Sequence, residues 1–206
     1  MFHMLPVNIT TLFIRQGPKK TILYPGVFGL ANQQWQMKMN QAIVEQAKRL
    51  MKEQIGNMPT TVEEMLGLYE IKNNQRQVLS LTQSNYTYHY HAAHGMTYIK
   101  SLTFDMQKEK ICTLQDLFKQ GSDYIGRISA IIHEQIKQRD IQLLSPFTVI
   151  KPDQDYYLAD KTIVIYFQLY DITPYAFGFP MFPISLYDLQ DIIDESGPLA
   201  RLATSN

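Results

Sequence analysis

An α+β protein, with antiparallel sheets and hairpins packed against two long helices, is the fold this sequence predicts, and three observations predict it. Short runs of β-branched and aromatic residues recur with turn residues between them. Residues 33–55 and 122–139 instead repeat apolar side chains at helical spacing. With 206 residues, 45% of them apolar, the chain can bury a real core beneath both kinds of element.

The elements follow in order. Residues 7–15 mix β-branched and apolar types, Gln16-Gly17-Pro18 makes a turn, and Thr21-Ile22-Leu23-Tyr24 resumes a strand that Pro25-Gly26 is expected to stop. In residues 33–55, Trp35, Met39, Ile43, Ala47, Leu50, Met51 and Ile55 share one helical face, with Asn32 as N-cap and Gly56 as the stop. Such a helix is about 35 Å long at 1.5 Å per residue. Its Trp and Met stripe reads as the core-facing side.

Beyond a connection at Asn57-Met58-Pro59, residues 66–72 and 77–83 are strand-like and joined by the turn residues Asn73-Asn74. A further strand is expected over residues 86–91 and another over 96–106, returning through Gln107-Lys108-Glu109 to Ile111 and Cys112, which makes a meander. Thr113 with Asp116 resembles a capping box and opens a short helix. Ser122 can cap the second helix, whose face carries Tyr124, Ile125, Ile128, Ile131, Ile132 and Ile136. Residues 156–158 and 162–167 form the strongest hairpin, turning at Ala159-Asp160-Lys161. An aromatic loop with Pro and Gly spans residues 172–180, Ser185 with Asp188 is expected to start a last helix through Ile193, and Gly197-Pro198 to end it. The chain divides into an N-terminal α+β unit, 1–112, and a C-terminal α+β unit, 113–206, closely packed as one body.

Composition excludes several function classes. Nineteen basic residues balance nineteen acidic ones, so no positive field is available for nonspecific phosphate contacts, and nucleic acid is not expected as a partner. The lone Cys112 cannot form an internal disulfide, and between Ile111 and Leu114 it reads as a half-buried hydrophobe. Met1-Phe2-His3-Met4-Leu5 lacks the basic start and apolar stretch of a signal peptide, and no apolar run reaches the roughly 20 residues of a membrane-spanning helix. No phosphate-cradling glycine motif or nucleophile elbow occurs around Ser129 or Ser145. Glu63-Glu64, Asp153 with Asp155, and Asp188 with Asp191 are carboxylate pairs that solvated turns and helix ends explain.

One segment points to chemistry. Residues 84–95 read Ser-Asn-Tyr-Thr-Tyr-His-Tyr-His-Ala-Ala-His-Gly, placing His89, His91 and His94 at the His-x-His-x-x-His spacing of zinc hydrolase motifs. On a strand, His89 and His91 point to one face, and His94 can swing back after a turn. The familiar hydrolase version has Asp before its third His, where this chain has Ala93. The other candidate surface is aromatic: Tyr86, Tyr88 and Tyr90 alternate along the same segment, and Tyr170, Tyr175, Phe177 and Phe179 crowd one loop. A half-buried strand face and a plugged hairpin core explain these residues as well as binding does.

The same residues carry a resemblance. Tyr24-Pro25 before the long helix, Asn85 to Tyr88, Ala93-His94-Gly95, Leu102-Thr103-Phe104-Asp105 and Leu114 to Phe118 resemble the bacterial domain of unknown function DUF4163. Phe147, Tyr156-Tyr157-Leu158, Ile163 to Phe167, Tyr170-Asp171-Ile172, Pro174-Tyr175-Ala176, Gly178 and Phe182-Pro183-Ile184 resemble DUF3298, the domain that follows it. This pair looks like the ectodomain of lysozyme-sensing anti-sigma factors and the accessory region of peptidoglycan deacetylases. The resemblance implies an extracytoplasmic, non-catalytic binding or sensing module for a lysozyme-like protein or a wall-associated ligand, with no cofactor. It implies the binding module alone, without a transmembrane helix, a cytoplasmic anti-sigma segment or a deacetylase domain. In the family, His94-Gly95 belongs to a hairpin, and His89 and His91 are additions to it. A peptidoglycan-binding accessory domain and a metal-dependent hydrolase using His89, His91 and His94 are the alternatives.

Overall fold

A computed structural model describes residues 5–56 and 61–204; the expected connection at Asn57-Met58-Pro59 lies outside them. The chain is mixed α+β, with a six-stranded sheet ordered β1-β2-β3-β4-β5-β6 and a three-stranded sheet ordered β7-β8-β9. The larger sheet comprises β1 (Asn8–Arg15), β2 (Lys20–Phe28), β3 (Val62–Gln75), β4 (Val78–His89), β5 (Met96–Asp105) and β6 (Lys110–Ile111). The smaller comprises β7 (Tyr156–Ala159), β8 (Thr162–Tyr166) and β9 (Met181–Ser185). Of the two long helices expected, α1 (Gln33–Ile55) has 23 residues, whereas α2 (Tyr124–Gln138) is shorter, at 15; a six-residue α3 (Pro198–Ala203) follows.

α1 forms where its apolar stripe demands. Asn32 caps it by accepting from the amides of Gln34 and Trp35, Gly56 ends it, and Trp35, Met39 and Ile43 pack on Val27, Leu79, Leu81 and Phe104. Its last turns, through Ala47 and Met51, pack on Ile22, Val62 and Met65. In the C-terminal half, Ile128 and Ile132 of α2 share a core with Leu158, Ile163, Ile165, Phe182 and Ile184 of the small sheet.

The two sheets are joined by polar contacts that satisfy groups their burial would otherwise strand. The Leu158 amide donates to Ser80 Oγ (3.0 Å), which lies 2.9 Å from Thr103 Oγ1, and Tyr156 donates to the Cys112 carbonyl (2.8 Å). Gln168 acts as a substitute ladder partner for β5, accepting from the Ile99 amide (3.0 Å) and donating to its carbonyl (2.6 Å).

Several sequence expectations need correction. The sheet is not wholly antiparallel: α1 is a crossover that brings β3 alongside β2 in parallel, at Lys20 to Ile22. Gly67 is required there, because a Cβ on it would meet Ile22 Cγ2 at 2.5 Å. β2 does not stop at Pro25-Gly26 but pairs with β1 as far as Phe28. Its pairing with β3 has ended by then, so proline's missing N–H forfeits no bond on that side. The β3–β4 turn falls at Arg76-Gln77, both left-handed (φ 53° and 59°), while Asn73 and Asn74 lie within β3. Tertiary contacts decide this: the Arg76 guanidinium donates to the carbonyls of Arg201 (2.9 Å) and Thr204 (2.6 Å), and the Asn74 amide pairs with the backbone of Val7. The two strands expected over residues 77–83 and 86–91 are one, Val78–His89, since Asn85 is buried and bonded to Gln54 rather than breaking the chain. Asp123, not Ser122, caps α2, accepting from the Gly126 amide at 2.9 Å. β9 has no counterpart among the expected elements, and its Pro183 is tolerated because β9 is an edge strand. The last helix predicted from Ser185 is a short 3-10 turn, Leu186–Leu189, and Gly197-Pro198 begins α3 instead of ending a helix.

Candidate functional site

The three histidines take three separate places. β4 ends at His89, so His91 is not on the strand; it sits exposed in the β4–β5 loop with φ 63°, its ring 3.9 Å from that of Tyr90. His89 faces the end of α1. Its Nε2 lies 2.8 Å from the Gln54 carbonyl oxygen, which can only accept, so in the neutral ring Nε2 donates and Nδ1 accepts from Thr61 Oγ1 (2.8 Å). That satisfies one of the last carbonyls of α1 and fixes the helix end to the sheet. Gln54 reinforces the anchor, with its side chain bonded to Asn85, Thr87 (2.9 Å) and the Met96 carbonyl (2.8 Å). Among the described residues no group of three or more His, Cys, Asp or Glu is placed to hold a metal ion.

His89→Ala is therefore expected to cost about 1–3 kcal/mol through the unsatisfied carbonyl, and His91→Ala to stay within about 0.5 kcal/mol of wild type. Urea denaturation measures both. A stoichiometric metal lost equally in the two variants would overturn this scaffold role.

His94 belongs to a different constellation. Gly95 packs directly on the Tyr86 ring, so close that a Cβ would stand 2.1 Å from Tyr86 Cε2. The Gly95 carbonyl accepts from Tyr175 Oη (3.0 Å) and from His94 Nδ1 (2.9 Å), which leaves His94 Nε2 to accept from Tyr170 Oη at 3.3 Å. The rings follow the hydrogen bonds: His94 stacks on Tyr175 at 4.2 Å and 29°, and Tyr170 lies 5.6 Å from Tyr175. Burial, followed by the charge of Glu64 and the neighbouring Tyr175, raises the Tyr86 phenol above its usual range. Tyr170 adopts φ 67°, an unusual conformation for a bulky residue at the head of a loop.

The structure thus brings together Tyr86 of β4, His94 of the loop that follows it, and Tyr170 and Tyr175 of a second loop distant in sequence. Tyr170 and Phe177 are exposed at this knot and Tyr90 is exposed in the β4–β5 loop, while Tyr88 and Phe179 are half-buried. Sequence reasoning missed the surface next to it. Leu66 pairs across the strands with Tyr86, and Leu66, Leu68 and Phe13 are exposed on the sheet surface away from α1. The alternation of buried and exposed residues along β3 was the available signal, obscured by Gly67 at one of the buried positions.

No arrangement at this knot supplies an activated nucleophile. Asp155 is paired with Lys100 (2.9 Å) and Asp191 with Arg127 (3.7 Å). Burial, then the charges of Asp105 and Asp116, push the Cys112 thiol up to about 11, which leaves it protonated and unreactive near neutral pH. Among the described residues no helix is long and apolar enough to cross a membrane.

The chain is similar to several known proteins. The family described as "Protein of unknown function (DUF3298)" matches residues 115–187. The chain is 29% identical over 175 residues to the anti-sigma-V factor RsiV of Bacillus subtilis, covering 78% of this chain and 60% of that protein. It is 26% identical over 134 residues to the peptidoglycan-N-acetylmuramic acid deacetylase PdaC of the same organism, covering 62% of this chain and 28% of that one. The chain thus spans only part of the length of either relative. Two crystal structures share the fold across its whole length: a DUF3298 family member from Bacteroides fragilis (TM-score 0.70, 12% identity, 98% of this chain and 99% of that one) and another from Pseudomonas aeruginosa (TM-score 0.68, 15% identity, 99% of each). Neither the DUF4163 resemblance of the N-terminal half nor its tandem arrangement is among these matches.

Proposed function

We propose that this chain is a non-catalytic binding module of the bacterial cell envelope, which recognises a lysozyme-like protein through the aromatic knot and the apolar strip beside it. The observation that carries the reading is the interlock of Gly95, His94, Tyr170 and Tyr175, which holds two loops as one preformed surface with Tyr90, Tyr170 and Phe177 displayed on it. Rigid aromatic groups on loops supply large contact area at little entropic cost, whereas nothing at the knot activates a nucleophile or a water. Similarity to an anti-sigma factor and to a peptidoglycan deacetylase supports the envelope setting. On this reading the chain divides at 112/113 into two units that act as one body, each contributing one loop to the surface.

The experiment is a pull-down from envelope extract and culture fluid, followed by calorimetric titration with lysozyme and, separately, with soluble muropeptides. Binding of lysozyme that falls tenfold or more in Tyr170→Ala/Phe177→Ala, with folding intact, is expected. Binding of muropeptides alone would replace the protein ligand by a sugar one, and binding of either that is indifferent to the double substitution would reject the knot as the site.

A further inference from the structure

We propose that the open edge of β1 is a self-association surface, on which a second copy of this chain adds its own β1 in antiparallel register. The backbone geometry sets which groups are available. The Gln16 amide donates to the Lys20 carbonyl at 2.9 Å, which makes Gln16 and Lys20 a hydrogen-bonded pair in the hairpin. Antiparallel pairs alternate, and the β1–β2 register runs without a shift. Residues 8, 10, 12 and 14 therefore bond to β2, and residues 9, 11, 13 and 15 turn their N–H and C=O groups away from it. Pro25 stands opposite Thr11, a position where β1 asks no N–H of β2, which fits this assignment.

Among the described residues the sheet has no strand beyond β1. At its start the edge is occupied: the outward groups of Val7 bond to the Asn74 side chain, at 3.2 and 2.8 Å, and Ile9 lines a cleft with both of them. The edge whose backbone groups remain open is Thr11, Phe13 and Arg15, with the Thr11 hydroxyl itself bonded to Tyr69 Oη at 2.6 Å. It lacks most of the devices that protect natural edges: from Asn8 to Arg15 there is no proline and no break in register, and the one charge, Arg15, stands at the end of the strand with its guanidinium 5.7 Å from the Phe13 ring. Leu12 and Phe13 are 41% and 63% exposed on it.

A second copy is the occupant because the strand is complementary to itself. A two-fold axis perpendicular to the sheet requires each residue to meet one on the same face, which centring on Phe13 satisfies. Phe13 then exchanges bonds with Phe13 of the copy, Thr11 with Arg15 and Arg15 with Thr11, all of them outward-facing residues. Leu12 meets Ile14 on the other face. The two Arg15 side chains, the only charges on the strand, lie at opposite ends and do not repel. So short a pairing makes an interface below the standard size, so the dimer is weak and reversible.

Sedimentation velocity from micromolar to near-millimolar chain concentration is the test, with Phe13→Lys as the variant that sets like charges on the two-fold axis. The wild type should dimerise reversibly and Phe13→Lys should stay monomeric with an unchanged circular dichroism spectrum. Phe13→Cys gives a second measurement, since a hydrogen-bonded pair on the axis brings its two Cα atoms within disulfide reach, and the buried Cys112 does not compete. Oxidation should link two copies of Phe13→Cys and leave Leu12→Cys largely unlinked. A wild type that is monomeric throughout, a dimer unaffected by Phe13→Lys, or equal linking of both cysteine variants would each overturn the proposal.

Discussion

Replacing Arg201 by alanine is expected to lower the unfolding free energy by about 3–5 kcal/mol. Asp105, at the end of β5, is 1% exposed, and its Oδ1 accepts from the Arg201 guanidinium (2.6 Å) and from the amides of Gln107 (3.0 Å) and Lys108 (3.1 Å). Remove the guanidinium and a carboxylate remains in the interior with two amides and no counter-charge. The same arginine donates through Nε to the Arg76 carbonyl (3.3 Å) while its own carbonyl accepts from Arg76, so α3 is fastened to the β3–β4 turn as well. Asp105→Asn keeps an acceptor for the two amides and removes the buried charge, so it should cost less. The double variant should then be more stable than Arg201→Ala alone, because asparagine needs no counter-charge. Urea denaturation of the four proteins closes the cycle. An Arg201→Ala loss under about 1 kcal/mol would mean that the pair is screened and does not tie the two halves together.

Contacts of this kind explain what the sequence could and could not tell. α1 was legible from Asn32 to Gly56 because cap, stripe and stop agree with one another and with the core they meet. The β7–β8 hairpin was legible for the same reason, from its β-branched run and the turn at Asp160. The β3–β4 turn was not, because Arg76 and Gln77 hold left-handed conformations that neither residue type favours, and the reason lies in a helix more than a hundred residues away. The site divides in the same way. Alternation placed Tyr86 and Tyr88 correctly on one strand face, and the crowding of aromatics flagged the loop of Tyr170 and Tyr175. The spacing of the histidines suggested that they act together, yet His89 serves a helix end and His94 an aromatic stack, since the strand ends between them. Spacing reports which residues could share a face only while the strand continues.

Gly95 is where that distinction can be tested most sharply. Gly95→Ala introduces one methyl group at 2.1 Å from Tyr86 Cε2, a distance no contact tolerates, so the ring or the loop has to move. Overpacking of this kind costs about 1–3 kcal/mol. The effect on recognition should be greater. The Gly95 carbonyl is the acceptor that holds both Tyr175 and His94, and His94 in turn positions Tyr170, so one displacement disperses the whole exposed group. If the proposed surface is the binding site, partner affinity should fall about 30-fold, the loss of a hot spot worth about 2 kcal/mol. Tyr86→Ala supplies the control, because removing the ring makes room for the methyl group. Gly95→Ala/Tyr86→Ala should be no less stable than Tyr86→Ala, a non-additivity expected only if the clash itself is the cause. Stability that adds across the two sites would place the damage in the backbone, and unchanged affinity in Gly95→Ala would separate the knot from recognition altogether.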